Sequence, residues 1–315
     1  EVFVISKAWY FAQVLPLPAA TAATFQSLMG DFVWAHSMAR IAFPQLHRPF
    51  SEGGLGLSCP ATRAKSLLAK QTFHHLAAGG RPALHLTYWM GAALQDQLPL
   101  PHDGPFLTGQ PPVQYLDLQN LLLETADLPS VLPAFLAASR SSLIYKNWMA
   151  DPPRPRVEQK LPALPWDLIW KRLATPAIPL LSSDLHFRVL HDVLMTRERR
   201  HRFRDAPSPA CLRCPAPVED GLHFFTTCPR VAGAWDYLLH RACMVLGAAL
   251  TNQTLLYLAW PSMPGGRAEA AVVLAVCTFS AWAWETRELQ QPLLPPDLKT
   301  RVDLAAEAGP HLSIF

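Results

Sequence analysis

Four residues in one short stretch, Cys211, Cys214, His223 and Cys228, restrict this chain more than any other feature: they are spaced C-x2-C-x8-H-x4-C. Three thiols and one imidazole fill the tetrahedral coordination of Zn2+ and leave no open position, so the ion expected here is structural rather than catalytic. Two cysteines separated by two residues can turn both sulfurs inward round a tight bend, and Pro215 and Pro217 make the chain leave that bend quickly. A short helix is expected next, with Glu219 and Asp220 in its first turn, favoured by the positive end of the helix dipole, and His223 projecting from it. Cys228 follows His223 by five residues, about 140° round an ideal helix, so the helix must end before Cys228. Pro229 marks that break. A structural zinc supplies roughly 10–16 kcal/mol of apparent binding free energy in finger peptides, more than the stability of most domains. Without metal this region is expected to unfold locally.

The remaining cysteines, Cys59, Cys243 and Cys277, are widely scattered, which argues against a disulfide framework. Reduced thiols place the protein inside the cell, in the nucleus and/or the cytoplasm. Half of the 315 residues are hydrophobic and 16% are charged, a globular composition with enough length for two domains or one large one. The 31 prolines predict short, frequently interrupted helices, and strand signals are weak throughout, so the fold class is mainly α. The longest apolar run, Ala270 to Trp284, is shorter than the ~18 residues of a membrane span and is read as a buried helix, with no membrane partner. Ser6 and Lys7 interrupt the apolar start, so no cleavable signal is expected. The chain opens mid-pattern without a methionine, as a segment of a longer protein would.

Along the chain, Thr21 is expected to cap a helix with apolar positions Phe25, Leu28, Met29, Phe32 and Val33. The stretch "EGGLGLSCP", residues 52–60, has no Lys-Ser/Thr after it and no strand before it, so it is read as a tight connection between helices rather than a phosphate loop. A helix follows from Thr62 to Ala78, with Arg63, Lys65 and Lys70 on its solvated face. Residues 98–112 form a proline-rich loop, and helical patterns return between Val113 and Trp148. Five prolines between Asp151 and Pro165 indicate an exposed linker. Four sections result: a helical region over 1–150, the linker over 151–165, the metal-bearing module over 166–245, and a C-terminal segment over 246–315 with a helix near Ala268 to Leu289 and a proline-rich tail.

Within the third section, Trp166, Ile169, Trp170 and Leu173 recur at i, i+3, i+4 and i+7, the spacing of a core-facing stripe. Ser182 or Ser183 is expected to cap a helix through "DLHFRVLHDVLMTRERR" that buries Leu185, Val189, Val193 and Leu194. Beyond the metal ligands, Val231, Trp235, Leu238, Leu239 and Ala242 predict another amphipathic helix. These two helices bracket the metal unit and can pack on one another. The nearby His186, His191 and His201 are read as core or surface histidines, since exchanging one for His223 would spoil the ligand spacing.

Residues 151–245 carry 14 basic and 10 acidic side chains, the most basic balance in the chain. Much of the excess lies in "RERRHRFR", where Arg197, Arg199, Arg200, Arg202 and Arg204 surround Phe203 just before the first cysteine. Arginines with an interleaved aromatic are candidates for phosphate contact and base stacking, with RNA or DNA as the partner. The competing reading is an ordinary solvated helix end favoured by the dipole.

Helix, basic turn, "CLRC", "VEDGLHFFTTCPRV" and a following Trp together resemble the zinc-binding region downstream of the reverse transcriptase in non-LTR (LINE-type) retrotransposon polyproteins. "ISKAWYFAQVLPLP", "FVW" at 32–34 and "EGGLGL" are similar to the segment after the polymerase palm in the same elements, where the thumb begins. The resemblance covers about half the chain, in the right order. It implies a helical thumb-like region followed by a small zinc-binding helical module whose ligands are Cys211, Cys214, His223 and Cys228. It also implies an upstream polymerase domain in the same polyprotein, an RNA-directed DNA polymerase, as a partner. The activity does not carry over: reverse transcriptases hold two metal ions with aspartates, and this sequence contains no Asp-Asp pair. The expected role is a non-catalytic C-terminal region that helps hold template RNA or target DNA. The alternative is a zinc-stabilised protein-interaction scaffold without nucleic-acid affinity.

Overall fold

The computed structural model describes residues 2–35, 41–78, 80–81, 88, 140–261, 266–288 and 292–307. Every regular element among them is helical, so the chain is mainly α as its composition predicts. The proline-rich loop at 98–112 and the helical pattern from Val113 to 139 lie outside the described residues.

The chain divides into two compact units, one of residues 1–39 and 58–152, the other of 40–57 and 153–315. The first contains α1 (Val2–Phe11), α2 (Ala19–Val33), α4 (Pro60–Ala78) and α5 (Ser141–Trp148), with α4 packed against both α2 and α5. Helix α2 begins three residues earlier than expected: Pro18 stands at its N-cap, and Thr21 lies inside the first turn without capping it. A proline just before a helix costs nothing, because the first N–H groups have no intrahelical acceptor. The predicted apolar stripe of α2 is only partly covered. Phe25, Met29 and Val33 are half-buried, whereas Leu28 and Phe32 face solvent. In α4, Ala64, Ala69 and Phe73 form the buried side, and the backbone N–H of Cys59 donates to the Tyr145 hydroxyl at 2.9 Å.

The second unit is built round α12 (Gly266–Glu285), in which every residue from Ala271 to Ser280 is buried. It is the one helix among the described residues that is long and apolar enough to cross a membrane, and two-thirds of its most apolar window is buried inside the protein. Four helices lie on it: α7 (Trp166–Leu173), α8 (Leu180–Leu190), α10 (Pro229–Leu246) and α13 (Pro295–Glu307). Thus α8 and α10, the two helices that flank the metal ligands, share α12 as a packing partner. Helix α13 occupies what the sequence presents as a proline-rich tail. Its Pro295 and Pro296 sit in the first turn, where the missing N–H groups do no harm.

The stripe on α7 is core as its period predicts: Trp166, Ile169, Trp170 and Leu173 are all buried. Each indole N–H is satisfied, Trp166 Nε1 by the Leu161 carbonyl at 2.9 Å and Trp170 Nε1 by Glu158 Oε1 at 2.8 Å. Removing one Trp side chain from water stabilises by roughly 5 kcal/mol before entropy is counted, at ~25 cal/mol per Å2 over ~200 Å2. Those acceptors come from the segment 151–165. That segment is mostly exposed, and it also holds α6 (Arg156–Lys160) and buries Pro155 and Val157. Pro155 packs into this corner, presenting apolar ring atoms and giving up no hydrogen bond at a turn.

The glycine-rich stretch belongs to the second unit. Short helix α3 (Phe43–Leu46) leads into a turn in which the N–H groups of Leu55 and Leu57 both donate to the Leu46 carbonyl, and that of Gly56 donates to the Arg48 carbonyl at 2.7 Å. Gly53 has φ +78°, and a Cβ there would lie 2.6 Å from Trp170 Cε2 and 2.8 Å from Pro155 Cγ. Its carbonyl accepts from His191 Nε2 at 2.9 Å, and Phe50 stacks on Phe187 at 5.5 Å. These glycines serve close packing against α7 and α8.

Candidate metal centre

The loop after α9 (Arg197–Arg202) folds back so that the Cys211 N–H donates to the Ala216 carbonyl at 3.1 Å, closing the tight bend that C-x2-C requires. Both Cys211 and Cys214 then face the same point. His223 and Cys228 reach it from the other side, and the four ligand atoms all lie within 4.8 Å of one another. Cys211 Sγ and Cys228 Sγ are 4.0 Å apart, too far for a disulfide, and Cys214 Sγ is 3.3 Å from His223 Nε2. The cluster is close enough to hold a metal ion.

Five-residue spacing is reconciled with convergence by a π-turn over His223–Thr227. Its hydrogen bond runs from the Cys228 N–H to the His223 carbonyl at 2.9 Å, so residues five apart stack rather than diverge by the angle an α-helix would impose. The helix does end before Cys228, whose backbone is extended (φ −64°, ψ 127°). Pro229 marks more than a break, because it is the first residue of α10 with Cys228 as N-cap. The π-turn is rooted in the core: Phe224 and Phe225 are buried, and Phe224 lies 5.3 Å from the Trp284 ring at the end of α12.

Further groups orient the ligands. With Nε2 turned to the thiols, His223 Nδ1–H donates to Thr227 Oγ1 at 3.3 Å, which fixes the neutral tautomer a ligand needs. Burial lowers the pKa of His223, favouring the same neutral form. The Arg213 N–H donates to Cys211 Sγ at 3.4 Å, and the Arg213 guanidinium sits over the Phe224 ring at 3.9 Å. Burial pushes the Cys211 thiol up to about 12 and raises Cys228 as well, so these sulfurs become thiolates when a cation is there to stabilise them. Four ligands of this kind leave no place for a reactive water.

The arginine cluster is arranged differently from the expected C-terminal turn of one long helix. Helix α8 begins after Pro179, carries Ser182 and Ser183 buried inside it, and stops at Leu190. After a turn in which Asp192 takes φ +55°, α9 starts afresh with Thr196 as its cap, Oγ1 accepting from the Arg199 N–H. Arg200 pairs with Asp205 at 2.9 Å and Arg202 with Glu198 at 2.8 Å. Arg199 donates to the Asp192 carbonyl and lies over the Phe203 ring at 5.4 Å. Arg197 and Arg204 make no ion pair among the described residues, and Phe203 is about half exposed. His186 and His191 are buried away from the ligands, and His201 bonds through Nδ1 to the Ala206 carbonyl.

One residue of the ligand loop joins the two features. Glu219 is 6% exposed; its Oε1 accepts from the Arg197 N–H at 3.1 Å and its carbonyl from the Glu198 N–H at 3.2 Å. The sequence places Glu219 in a helical first turn beside Asp220. Only Asp220 acts that way, its Oδ1 accepting from the His223 N–H at 2.7 Å. No spacing rule predicts a contact across 22 residues. Thr196 was within reach of sequence reasoning, since a threonine directly before a run of strong helix formers is an N-cap signal.

No protein-family model matches the chain, and no curated protein matches its sequence.

Proposed function

We propose that this chain is a non-catalytic, zinc-stabilised helical module of a retrotransposon-type reverse transcriptase that helps hold template RNA or target DNA. Zn2+ is the ion that the donor set favours. Bonds of about 2.3 Å to sulfur and ~2.0 Å to nitrogen at tetrahedral angles put ligand atoms about 3.5–3.8 Å apart. The two separations of 4.0 and 3.3 Å bracket that range. The ion's part is structural: it ties the loop between α9 and α10 to the core. A reducing intracellular setting, nuclear or cytoplasmic, keeps the three thiols available.

The observation that carries the reading is the mounting of an arginine-rich helix on the ligand loop. Among the described residues no carboxylate pairs with Arg197 or Arg204, and Phe203 offers a half-exposed ring between them in sequence. Phosphate neutralisation and base stacking need that combination. The resemblance of the ligand stretch and of "EGGLGL" to the post-palm region of LINE-type elements supplies the context, with the upstream polymerase domain as a partner.

A second reading, a protein-interaction scaffold without nucleic-acid affinity, draws on two facts. Arg200 and Arg202 are already paired, and Leu212, Val218 and Leu222 are exposed on the metal loop. Metal content of the purified chain, with RNA and DNA binding at about 50 and 200 mM salt, separates the two. Nucleic-acid binding predicts one zinc per chain and an affinity that falls steeply with salt. Replacing Arg197 and Arg204 by Gln should then flatten the log–log salt slope by about 1.4–1.8. Salt-independent or absent binding rejects the nucleic-acid reading and leaves the scaffold.

A further inference from the structure

We infer that Glu219 is the positioning residue through which the metal cluster holds the arginine helix α9, so that metal occupancy sets the order and orientation of Arg197–Arg202. As regards nucleic acid, the inference rests on the function proposed above. As regards structure, it stands on geometry alone.

Helix α9 has six residues, and none of them is buried. A helix that short does not persist by itself, because nucleation costs more than so few hydrogen bonds return, and α9 has no apolar face to compensate. What holds its start is the set of acceptors on its first N–H groups. Those of Arg197 and Glu198 are both taken by Glu219, and that of Arg199 by Thr196 Oγ1 at a long 3.4 Å. Further tethers are the Arg199 side chain on the Asp192 carbonyl and, at the far end, His201 on the Ala206 carbonyl and Arg200 paired with Asp205, whose N–H donates to the Arg200 carbonyl.

Glu219 is itself fixed by the ligand loop. It lies between Cys214 and His223 in sequence, and its own N–H donates to the Pro209 carbonyl at 2.8 Å, which ties it to the loop that carries Cys211. Loss of the ion frees the ligand loop, and with it the acceptors that Glu219 gives the first two amides of α9. Order in the arginine helix thus follows occupancy of a site to which none of its residues is a ligand.

Amide hydrogen exchange on the full chain tests this, with the amides of α12 as an internal reference. The states compared are the zinc-loaded wild type, the same protein after chelation, and zinc-loaded Glu219→Ala and Glu219→Gln. Chelation and Glu219→Ala should each accelerate exchange across Arg197–Arg202 by about tenfold while α12 stays protected. Glu219→Gln keeps an acceptor oxygen and should stay within about threefold of wild type. Glu219→Ala should retain one zinc per chain. Wild-type exchange in α9 of the alanine variant would overturn the inference, as would loss of its zinc, which would make Glu219 part of the metal site instead of a link from it. A fluorescent poly(U) RNA oligonucleotide serves as the binding probe. Its affinity should fall with α9 order in both the chelated and Glu219→Ala proteins, and unchanged affinity there would also overturn the coupling. If α9 responds as expected but the zinc-loaded wild type binds neither RNA nor DNA, the positioning role stands and the nucleic-acid function fails.

Discussion

His223 Nδ1 and Thr227 Oγ1 are 3.3 Å apart across one turn, so the hydroxyl that orients the ligating imidazole comes from the same π-turn that brings Cys228 round to it. Thr227→Val keeps the shape and removes the acceptor. Metal affinity should fall about tenfold, the lower end for an outer partner because Thr227 is solvent-exposed, with helicity unchanged. Competition against a calibrated chelator measures it, and wild-type affinity in the variant would show that the threonine has no orienting role.

Cys228→Ser should abolish stoichiometric metal binding and loosen residues 205–228 without unfolding α12. Cys228 stands at the N-cap of α10 without a side-chain cap bond and serine is a good N-cap, so the start of α10 should hold while the metal and its loop are lost. Metal analysis together with limited proteolysis reads both effects, and a variant that keeps one metal ion per chain would remove Cys228 from the ligand set.

Acid should destabilise the second unit through two buried histidines. Burial lowers His186 and His191 to about 4 from an ordinary ~6.5. The unfolded chain therefore binds more protons between those values, and stability falls as pH drops from about 6.5 towards 4. At pH 5 each histidine should cost about 2 kcal/mol relative to neutral pH. His191→Gln removes one titrating group, so denaturant midpoints at pH 7 and 5 should differ less in the variant by about that amount. Parallel pH profiles would refute the assignment.

Gly53→Ala should destabilise the same unit by more than about 2 kcal/mol. The new Cβ would meet the Trp170 ring at 2.6 Å, where φ is already +78°. A two-state denaturant curve followed by tryptophan fluorescence measures it, and a loss below about 0.5 kcal/mol would mean the turn can shift away from the indole.

Much of this was legible because it is local. The period of Trp166, Ile169, Trp170 and Leu173 announces a buried face, and C-x2-C with a downstream His and Cys announces a ligand set, since both rules act over a few residues. The misses share a cause. Val193 and Leu194 look like a continuation of α8, but Asp192 at φ +55° turns the chain and Thr196 starts a new helix, a tertiary choice that periodicity does not register. The prolines of 151–165 look like a linker because composition cannot show that Pro155 packs on Gly53, about a hundred residues away in sequence. The role of Glu219 was hidden for the same reason. In the ligand stretch, the assumption of 100° per residue failed at a π-turn, where the register widens to suit the site.

The membership of residues 40–57 in the second unit makes that unit discontinuous along the chain. A truncation beginning at residue 153 would keep all four metal ligands and every helix that touches α12, and would still leave His191 without its carbonyl and one side of Trp170 open to water. During synthesis the ribosome releases 40–57 long before the surface it completes exists, so this half of the protein cannot finish folding until its C-terminal part has been made.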